Sequence, residues 1–151
     1  MERRFGEYVV STDRSRLDLD LIQRFLAEDS YWARGIPLDV MRRAIDNSLC
    51  FGVYRGNDQV GFARVVTDYA TFGHIMDVFV LPAHRGKGLG KSLMECLMTH
   101  PQLQGFRRWQ LGTDDAHGLY ARFGFTTPAH PERHMEKTDP DVYRRLENES
   151  K

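Results

Sequence analysis

Apolar residues near the start of the chain change from a strand-like run to helical spacing. Residues 8–12 (Tyr-Val-Val-Ser-Thr) favour a short strand, whereas Leu17, Leu21 and Phe25 recur at the spacing of one helix face. Pro37 marks the expected start of a second helix, because proline is tolerated in the first helical turn. The first part of the chain therefore predicts one strand followed by two helices.

The pattern changes after Asn47 to runs that are typical of strands. Residues 49–54 and 59–67 predict a hairpin with its turn at residues 55–58, where Gly and Asn occur. The elements expected after this hairpin are a strand at residues 74–81, a helix at 91–99, a short strand at 109–112, a helix at 116–122 and a final strand. The order β-α-α-β-β-β-α-β-α-β is typical of an α+β fold with a mainly antiparallel sheet and one β-α-β unit.

Composition and charge narrow the class of protein. No internal repeat and no linker rich in Pro, Gly or Ser divides the chain, so residues 1–151 are expected to form a single domain. The formal net charge of zero argues against a dedicated nucleic-acid-binding protein. No apolar run approaches the roughly 20 residues that cross a bilayer, and the Met-Glu-Arg-Arg start lacks the apolar segment of a signal peptide. A cytoplasmic protein without nucleic-acid or membrane partners is expected.

The most informative stretch is residues 80–92, with the sequence Val-Leu-Pro-Ala-His-Arg-Gly-Lys-Gly-Leu-Gly-Lys-Ser. A predicted strand leads into three alternating glycines and then into a helix. Backbone N–H groups can therefore converge on an anion at the positive end of the helix dipole. Arg85, Lys87 and Lys91 add positive charge. The stretch predicts a phosphate or pyrophosphate site.

Three glycine-loop patterns compete for this stretch. The P-loop pattern requires glycine where the chain has Arg85. The dinucleotide-binding pattern requires glycine where the chain has Lys91 or, in a second register, Leu93. The R/Q-x-x-G-x-G/A loop of the GNAT acetyltransferases matches in full at Arg85, Gly88 and Gly90.

The chain resembles the GNAT superfamily of N-acetyltransferases over residues 49–125. Residues 77–82 (Asp-Val-Phe-Val-Leu-Pro) are similar to the strand that precedes the family's loop. Residues 116–125 (Ala-His-Gly-Leu-Tyr-Ala-Arg-Phe-Gly-Phe) are similar to its motif A-x-x-L-Y-x-x-x-G-F. The resemblance implies a single-domain fold whose mixed, mainly antiparallel sheet has splayed central parallel strands flanked by helices. It also implies acetyl-CoA as co-substrate and no metal.

The same resemblance implies that acetyl-CoA lies where the strands at residues 74–81 and 109–112 splay apart. The pantetheine arm would pair with the backbone of Val78, Phe79 and Val80. Many family members have Asn where this chain has Thr113, so here a hydroxyl would replace one of two amide contacts to pantetheine. The loop residues expected to bind the pyrophosphate are Arg85, Gly86, Lys87, Gly88, Leu89, Gly90, Lys91 and Ser92.

Family chemistry is direct attack of a neutral amine on the thioester, which requires a base, a donor to the carbonyl oxygen and an acid for the departing thiolate. Tyr120 aligns with the tyrosine that serves as the acid, and the backbone N–H of Val78 or Phe79, near a strand bulge, would face the oxygen. On strand parity Asp77 shares a face with Ile75 and Phe79, unless a bulge breaks that parity. The candidate bases are Asp77, His74, Asp114, Asp115, His117 and a water chain that reaches a carboxylate.

Aromatic residues dominate the connection at residues 31–37, a region that covers the acceptor site in the superfamily. The expected acceptor pocket has aromatic walls and few charges, and its residues are Tyr31, Trp32, Arg34, Tyr69 and Phe72. Such a pocket favours a primary amine on a small molecule. The alternatives are a protein or peptide N-acetyltransferase and a non-catalytic acyl-CoA sensor. A homodimer is compatible with the resemblance, because dimers are common in the superfamily.

Overall fold

The computed structural model describes residues 1–149, so the last two residues of the expected domain lie outside it. Within this part of the chain, six strands form one sheet in sequence order. The strands are β1 (Glu2–Phe5), β2 (Tyr8–Ser11), β3 (Leu49–Arg55), β4 (Asp58–Thr67), β5 (Phe72–Val80) and β6 (Arg108–Gln110). Neighbouring strands are antiparallel except for the parallel pair β5 and β6, which confirms the predicted mixed α+β fold.

Five α-helices flank the sheet in the described residues. They are α1 (Leu19–Arg24), α2 (Leu38–Asp46), α3 (Leu89–Thr99), α4 (His117–Ala121) and α5 (Val142–Glu149). The Asp18 carboxylate fixes the start of α1 by accepting the N–H of Leu21 at 3.0 Å. A π-helical turn, Phe25–Asp29, extends α1 and leads into a connection that we call the α1–α2 loop, residues 30–37.

Two parts of the sequence prediction are wrong. The predicted order lacks β1, which comes before the expected strand at residues 8–12 and pairs with it, as β2, in a hairpin. The final strand expected after α4 does not form in the described residues, where a short 3₁₀ turn, Pro131–Arg133, and α5 follow instead. Pro128, Pro131 and Pro140 punctuate this segment, and a proline cannot donate a hydrogen bond to a strand ladder.

The side chains of the sheet alternate between two apolar clusters, one on each face. Along β3, Phe51 packs in the cluster that holds α3 and Cys50 packs in the cluster that holds α1 and α2. Leu93 is fully buried in the first cluster and Ile22 in the second. Both faces of the sheet are therefore covered by helices. Among the described residues, no helix combines the length and apolar character needed to span a membrane.

The parallel strands β5 and β6 separate soon after they meet. β6 pairs with β5 only at Phe72, Gly73 and His74, so within residues 1–149 the rest of β5 has no strand on that edge. The Trp109 indole lies across the paired end, where a Cβ on Gly73 would come within 2.6 Å of the ring. The sheet thus opens over residues 75–80 of β5, as the splayed arrangement requires.

A β-bulge interrupts β5 within this open region. Phe62 pairs with Phe79 and Arg64 pairs with Met76, so two steps along β4 correspond to three along β5. Asp77 lies at the extra step with a φ of 56°. The strand therefore changes face there: Ile75 packs in the α3 cluster and Phe79 in the α1/α2 cluster. Asp77 consequently does not share a face with both, because the bulge breaks the strand parity.

Candidate active site

A cavity of about 380 Å³ lies where β5 and β6 separate. β5 forms one wall, residues 111–116 after β6 form another, and the α1–α2 loop closes a side. The structure brings together these residues that the sequence singled out: Tyr31, Trp32, His74, Asp77, Val78, Thr113, Asp114, Asp115 and Tyr120. Candidate groups for binding and for proton transfer therefore share one space.

Three of the expected acceptor residues lie elsewhere. Arg34 is exposed and does not line the cavity. Tyr69 lies in the turn between β4 and β5 and Phe72 is the first residue of β5, and neither lines the cavity. Asp68 organises that turn, and hydrogen bonds from the Thr71 hydroxyl and from backbone N–H groups hold its pKa below the usual range. This part of the predicted pocket is therefore a self-contained turn.

The glycine-rich loop leads directly into α3. Gly86 and Gly88 have φ values of 79° and 78°, in the left-handed region that favours glycine, and Gly88 immediately precedes the helix. The N–H groups of Leu89, Gly90 and Lys91 have no intrahelical acceptors, because they form the first helical turn. The loop therefore offers several backbone donors at one place.

Polar side chains of the glycine-rich loop and of the start of α3 form hydrogen bonds with other groups of the protein. Arg85 donates from Nε to the carbonyl oxygen of Val80 at 2.9 Å. Lys87 donates to the Tyr8 hydroxyl at 3.3 Å, and that hydroxyl is 2.9 Å from His84 Nδ1. Buried Ser92 donates its hydroxyl to the Gly88 carbonyl oxygen at 3.1 Å, so its proton is already in use.

Asp77 forms a buried ion pair with Arg64, which lies on the neighbouring strand β4. Arg64 Nε donates to Asp77 Oδ2 at 2.5 Å, and the two side chains are only 11% and 6% exposed. Trp32 Nε1 donates to the other carboxylate oxygen at 2.8 Å. Both carboxylate oxygens of Asp77 therefore accept hydrogen bonds from protein side chains.

His74 is the better placed of the two β5 candidates for a base. It lines the cavity and is half-buried. Burial lowers its pKa, and the nearby positive charge of Arg64 lowers the pKa further. A lower pKa keeps the imidazole neutral at physiological pH, and a neutral imidazole can accept a proton.

Tyr120 lies on α4 and lines the cavity, with only 8% of its surface exposed. Burial, with the nearby Tyr31 and Asp115, raises its pKa to about 12. The phenol therefore stays protonated throughout the physiological range and remains a hydrogen-bond donor. Thr113 supports the start of α4, because its hydroxyl oxygen accepts the N–H of Ala116 at 3.0 Å.

The α1–α2 loop reaches across the cavity to the segment after β6. The Tyr31 hydroxyl accepts the N–H of Asp114 at 2.9 Å. The Tyr31 and Trp32 rings meet edge to face at a centroid distance of 4.9 Å. Two aromatic side chains thus border the cavity, one bonded to each wall.

Sequence reasoning missed Arg64. The signal was present, because Arg64 is a charged residue within an apolar strand, as Asp77 is. Two opposite charges on adjacent buried strands are expected to pair.

Among residues 1–149, no group of three or more His, Cys, Asp and Glu side chains could hold a metal ion.

A sheet that opens between parallel strands, beside a glycine loop at a helix N-terminus, defines the class of acyl-CoA-dependent transferases that the sequence resembles. The model of the acetyltransferase (GNAT) family matches residues 19–125. A Gibberella zeae protein named as an acetyltransferase is 35% identical over 139 residues, covering 78% of this chain and 77% of that protein.

Solved structures agree with this match. A Xanthomonas campestris pv. campestris protein assigned to the same family has 55% identity and a TM-score of 0.89, covering 93% of this chain and 99% of that one. A Clostridium acetobutylicum acetyltransferase, crystallised with acetyl-CoA, shares the fold at 14% identity and a TM-score of 0.64, covering 91% and 96%. The chain belongs to the GNAT acetyltransferase family and is an acyltransferase of the N-acetyltransferase type.

Proposed function

We propose that this acetyltransferase transfers an acetyl group from acetyl-CoA to the primary amine of a small molecule, by direct attack within a ternary complex. The observation that carries the proposal is the cavity, which places Tyr120 and His74 beside the open edge of β5. Its volume of about 380 Å³ is near the lower end for small-molecule sites. A compact acceptor fits such a space better than a folded protein surface does.

The donor would bind along the open edge of β5 and at the glycine loop. Backbone groups of Val78, Phe79 and Val80 would pair with the pantetheine arm, because β6 does not reach them. The pyrophosphate would meet the free N–H groups at the start of α3 and the charges of Arg85 and Lys87. The acetyl-CoA in the related Clostridium structure supports this choice of donor.

Two of the proton transfers in the reaction have candidate partners in the cavity. As the amine nitrogen bonds to the thioester carbon, neutral His74 would accept the amine proton, directly or through water. The backbone N–H of Val78, at the β5 bulge, would donate to the carbonyl oxygen as charge develops there. When the carbon–sulfur bond breaks, Tyr120 would donate to the departing sulfur.

Of the expected acceptor residues, Tyr31 and Trp32 border the cavity, which supports a role for both in binding the acceptor. An aromatic face attracts an ammonium group, which would draw the amine to the cavity before it loses its proton. Asp114 and Asp115 line the same space and would add to this attraction.

Two measurements test the proposal. In thermal unfolding, CoA and acetyl-CoA should each raise the free energy of unfolding by about 2.7 kcal/mol when the ligand concentration is 100 times its Kd. A panel of small amines, amino acids and peptides is then assayed by the release of free CoA thiol, which identifies the acceptor. Absence of stabilisation by either ligand would contradict the donor site, and turnover of peptides alone would contradict the small-molecule acceptor.

A further inference from the structure

Asp77 has a left-handed backbone conformation although it lies within a β-strand. Its φ of 56° lies in the left-handed region, which L-residues rarely enter. The other non-glycine residue of this kind in the described chain is Tyr69, which lies in an exposed turn. Asp77 is instead buried within a strand. A conformation of this kind persists when neighbouring groups hold it in place, and it often marks a functional site.

Arg64 is the first group that holds Asp77. Besides its bond to Asp77, Arg64 donates from Nη1 to the Ser48 hydroxyl at 3.1 Å. Ser48 in turn donates to the carbonyl oxygen of Ala44, in α2, at 2.6 Å. The guanidinium is thus fixed at both ends, and it fixes the carboxylate of the bulge residue relative to β4 and α2.

Trp32 is the second group that holds Asp77, and it belongs to the α1–α2 loop. The loop is braced internally, because buried Ser30 accepts the N–H of Ala33 at 3.0 Å and donates to the Leu26 carbonyl oxygen at 2.6 Å. The indole N–H therefore connects a braced loop to the bulge residue. One carboxylate joins the cavity wall that carries Trp32 to the strand that carries Val78.

We infer that Asp77 and Arg64 are positioning residues that couple the α1–α2 loop to the β5 bulge. Arg64 holds Asp77 in the left-handed conformation, which sets the direction of the next backbone N–H, that of Val78. Trp32 transmits the position of the loop to the same carboxylate. The catalytic meaning of this coupling rests on the proposed function, whereas the coupling itself is a property of the free protein.

The coupling has a consequence for acceptor selection. An acceptor that seats Trp32 against Asp77 keeps the Val78 N–H directed at the thioester oxygen, and one that displaces the indole loosens the bulge. Binding energy at the loop is then expressed in the chemical step. Acceptors should therefore differ more in kcat than in KM.

Hydrogen exchange of the free protein tests the coupling without any ligand. Trp32→Phe removes the indole N–H and keeps an aromatic ring, and we expect exchange of residues 76–80 to accelerate at least about fivefold. Asp77→Gly retains access to the left-handed backbone and should accelerate exchange of residues 30–37. Tyr31→Phe is the matched control in the same loop, because its hydroxyl bonds to Asp114 rather than to the bulge. Acceleration confined to residues 30–37 in Trp32→Phe overturns the inference.

Kinetics separates positioning from a role as base. If Asp77 is a positioning residue, Asp77→Asn and Arg64→Gln both lower kcat, the double variant loses no more than the worse single one, and the pH midpoint of kcat/KM is unchanged. If Asp77 is the base, Asp77→Asn removes the ionisation from the profile and Arg64→Gln raises its midpoint. Arg55→Gln, at an exposed ion pair with Glu7, is the control that keeps full activity.

The two proposals fail in different ways. If the unmodified protein neither binds acetyl-CoA nor releases thiol, the proposed function is wrong, and the exchange experiment still decides the coupling. Trp32→Phe leaves the buried ion pair intact, so it remains informative if Asp77→Asn or Arg64→Gln does not fold.

Discussion

Replacing Tyr120 with phenylalanine removes one hydroxyl from the cavity and leaves the ring in place. Burial, Tyr31 and Asp115 together raise the pKa of Tyr120 to about 12. A phenol whose pKa is raised in this way gives up its proton less readily than a phenol in water does. We expect Tyr120 to act mainly by donating a hydrogen bond to the sulfur as it acquires charge.

The size of the effect follows from that role. A hydrogen bond to a charged group contributes about 1.5–3 kcal/mol. At about 1.36 kcal/mol per tenfold change in rate, Tyr120→Phe should lower the acetyl-transfer rate about 10- to 150-fold. General acid catalysis with complete proton transfer contributes about 10²- to 10⁴-fold. A loss below about 100-fold thus indicates the hydrogen bond alone, and a loss above about 10³-fold indicates complete proton transfer.

Single-turnover acetyl transfer, with the best amine from the panel, measures the chemical step apart from product release. Tyr54→Phe is the matched control: Tyr54 is also buried with a pKa raised to about 12, but it lies outside the cavity. The Tyr54 hydroxyl is buried without a hydrogen-bond partner in the described residues, so its removal should leave the rate and the stability nearly unchanged. A loss below about threefold in Tyr120→Phe would refute the role, and a loss above about 10³-fold would show full proton transfer.

Three further predictions concern the glycine-rich loop, the candidate base His74 and the candidate acceptor residue Trp32. Gly88→Ala and Gly105→Ala, at φ values of 78° and 79°, should each destabilise the protein by about 1–2 kcal/mol, but only Gly88→Ala should weaken stabilisation by acetyl-CoA in thermal unfolding. Because burial and the charge of Arg64 lower the pKa of His74, protonation of its imidazole should lower kcat/KM on the acid side of the ordinary histidine range, and His74→Gln should lack this acidic limb of the pH profile. An unchanged profile in that variant would assign the base elsewhere. Trp32→Ala should raise the acceptor KM about five- to tenfold through loss of the aromatic face, and an unchanged KM would remove Trp32 from the acceptor site.

Local sequence patterns were sufficient for the motifs and most elements of the fold. The glycine loop needs positive φ at Gly86 and Gly88 immediately before a helix, and the structure has both. The hairpin of β3 and β4 and the order of the central elements follow the predicted order. These features depend on residues that are close in sequence, so periodicity and turn residues are enough to predict them.

Segments without periodicity were predicted less well. The chain after α4 contains prolines and few apolar alternations, and the expected final strand is absent from the described residues. The sequence favours an acceptor pocket that includes Arg34, Tyr69 and Phe72, because these are aromatic or charged residues in segments that are expected to be loops. Their distance from the cavity depends on how the β4–β5 turn and the α1–α2 loop pack, which no local pattern specifies.

The sequence by itself determined the family, the glycine loop before α3 and the position of Tyr120 on a short helix. Only the tertiary structure decided the surroundings of Asp77. Its face depends on a bulge, and the bulge is a mismatch in register between β4 and β5. Its partners Arg64 and Trp32 come from a neighbouring strand and a distant loop. A carboxylate that reads as a candidate base in the sequence is buried in an ion pair, because pairing of buried charges is decided by non-local packing.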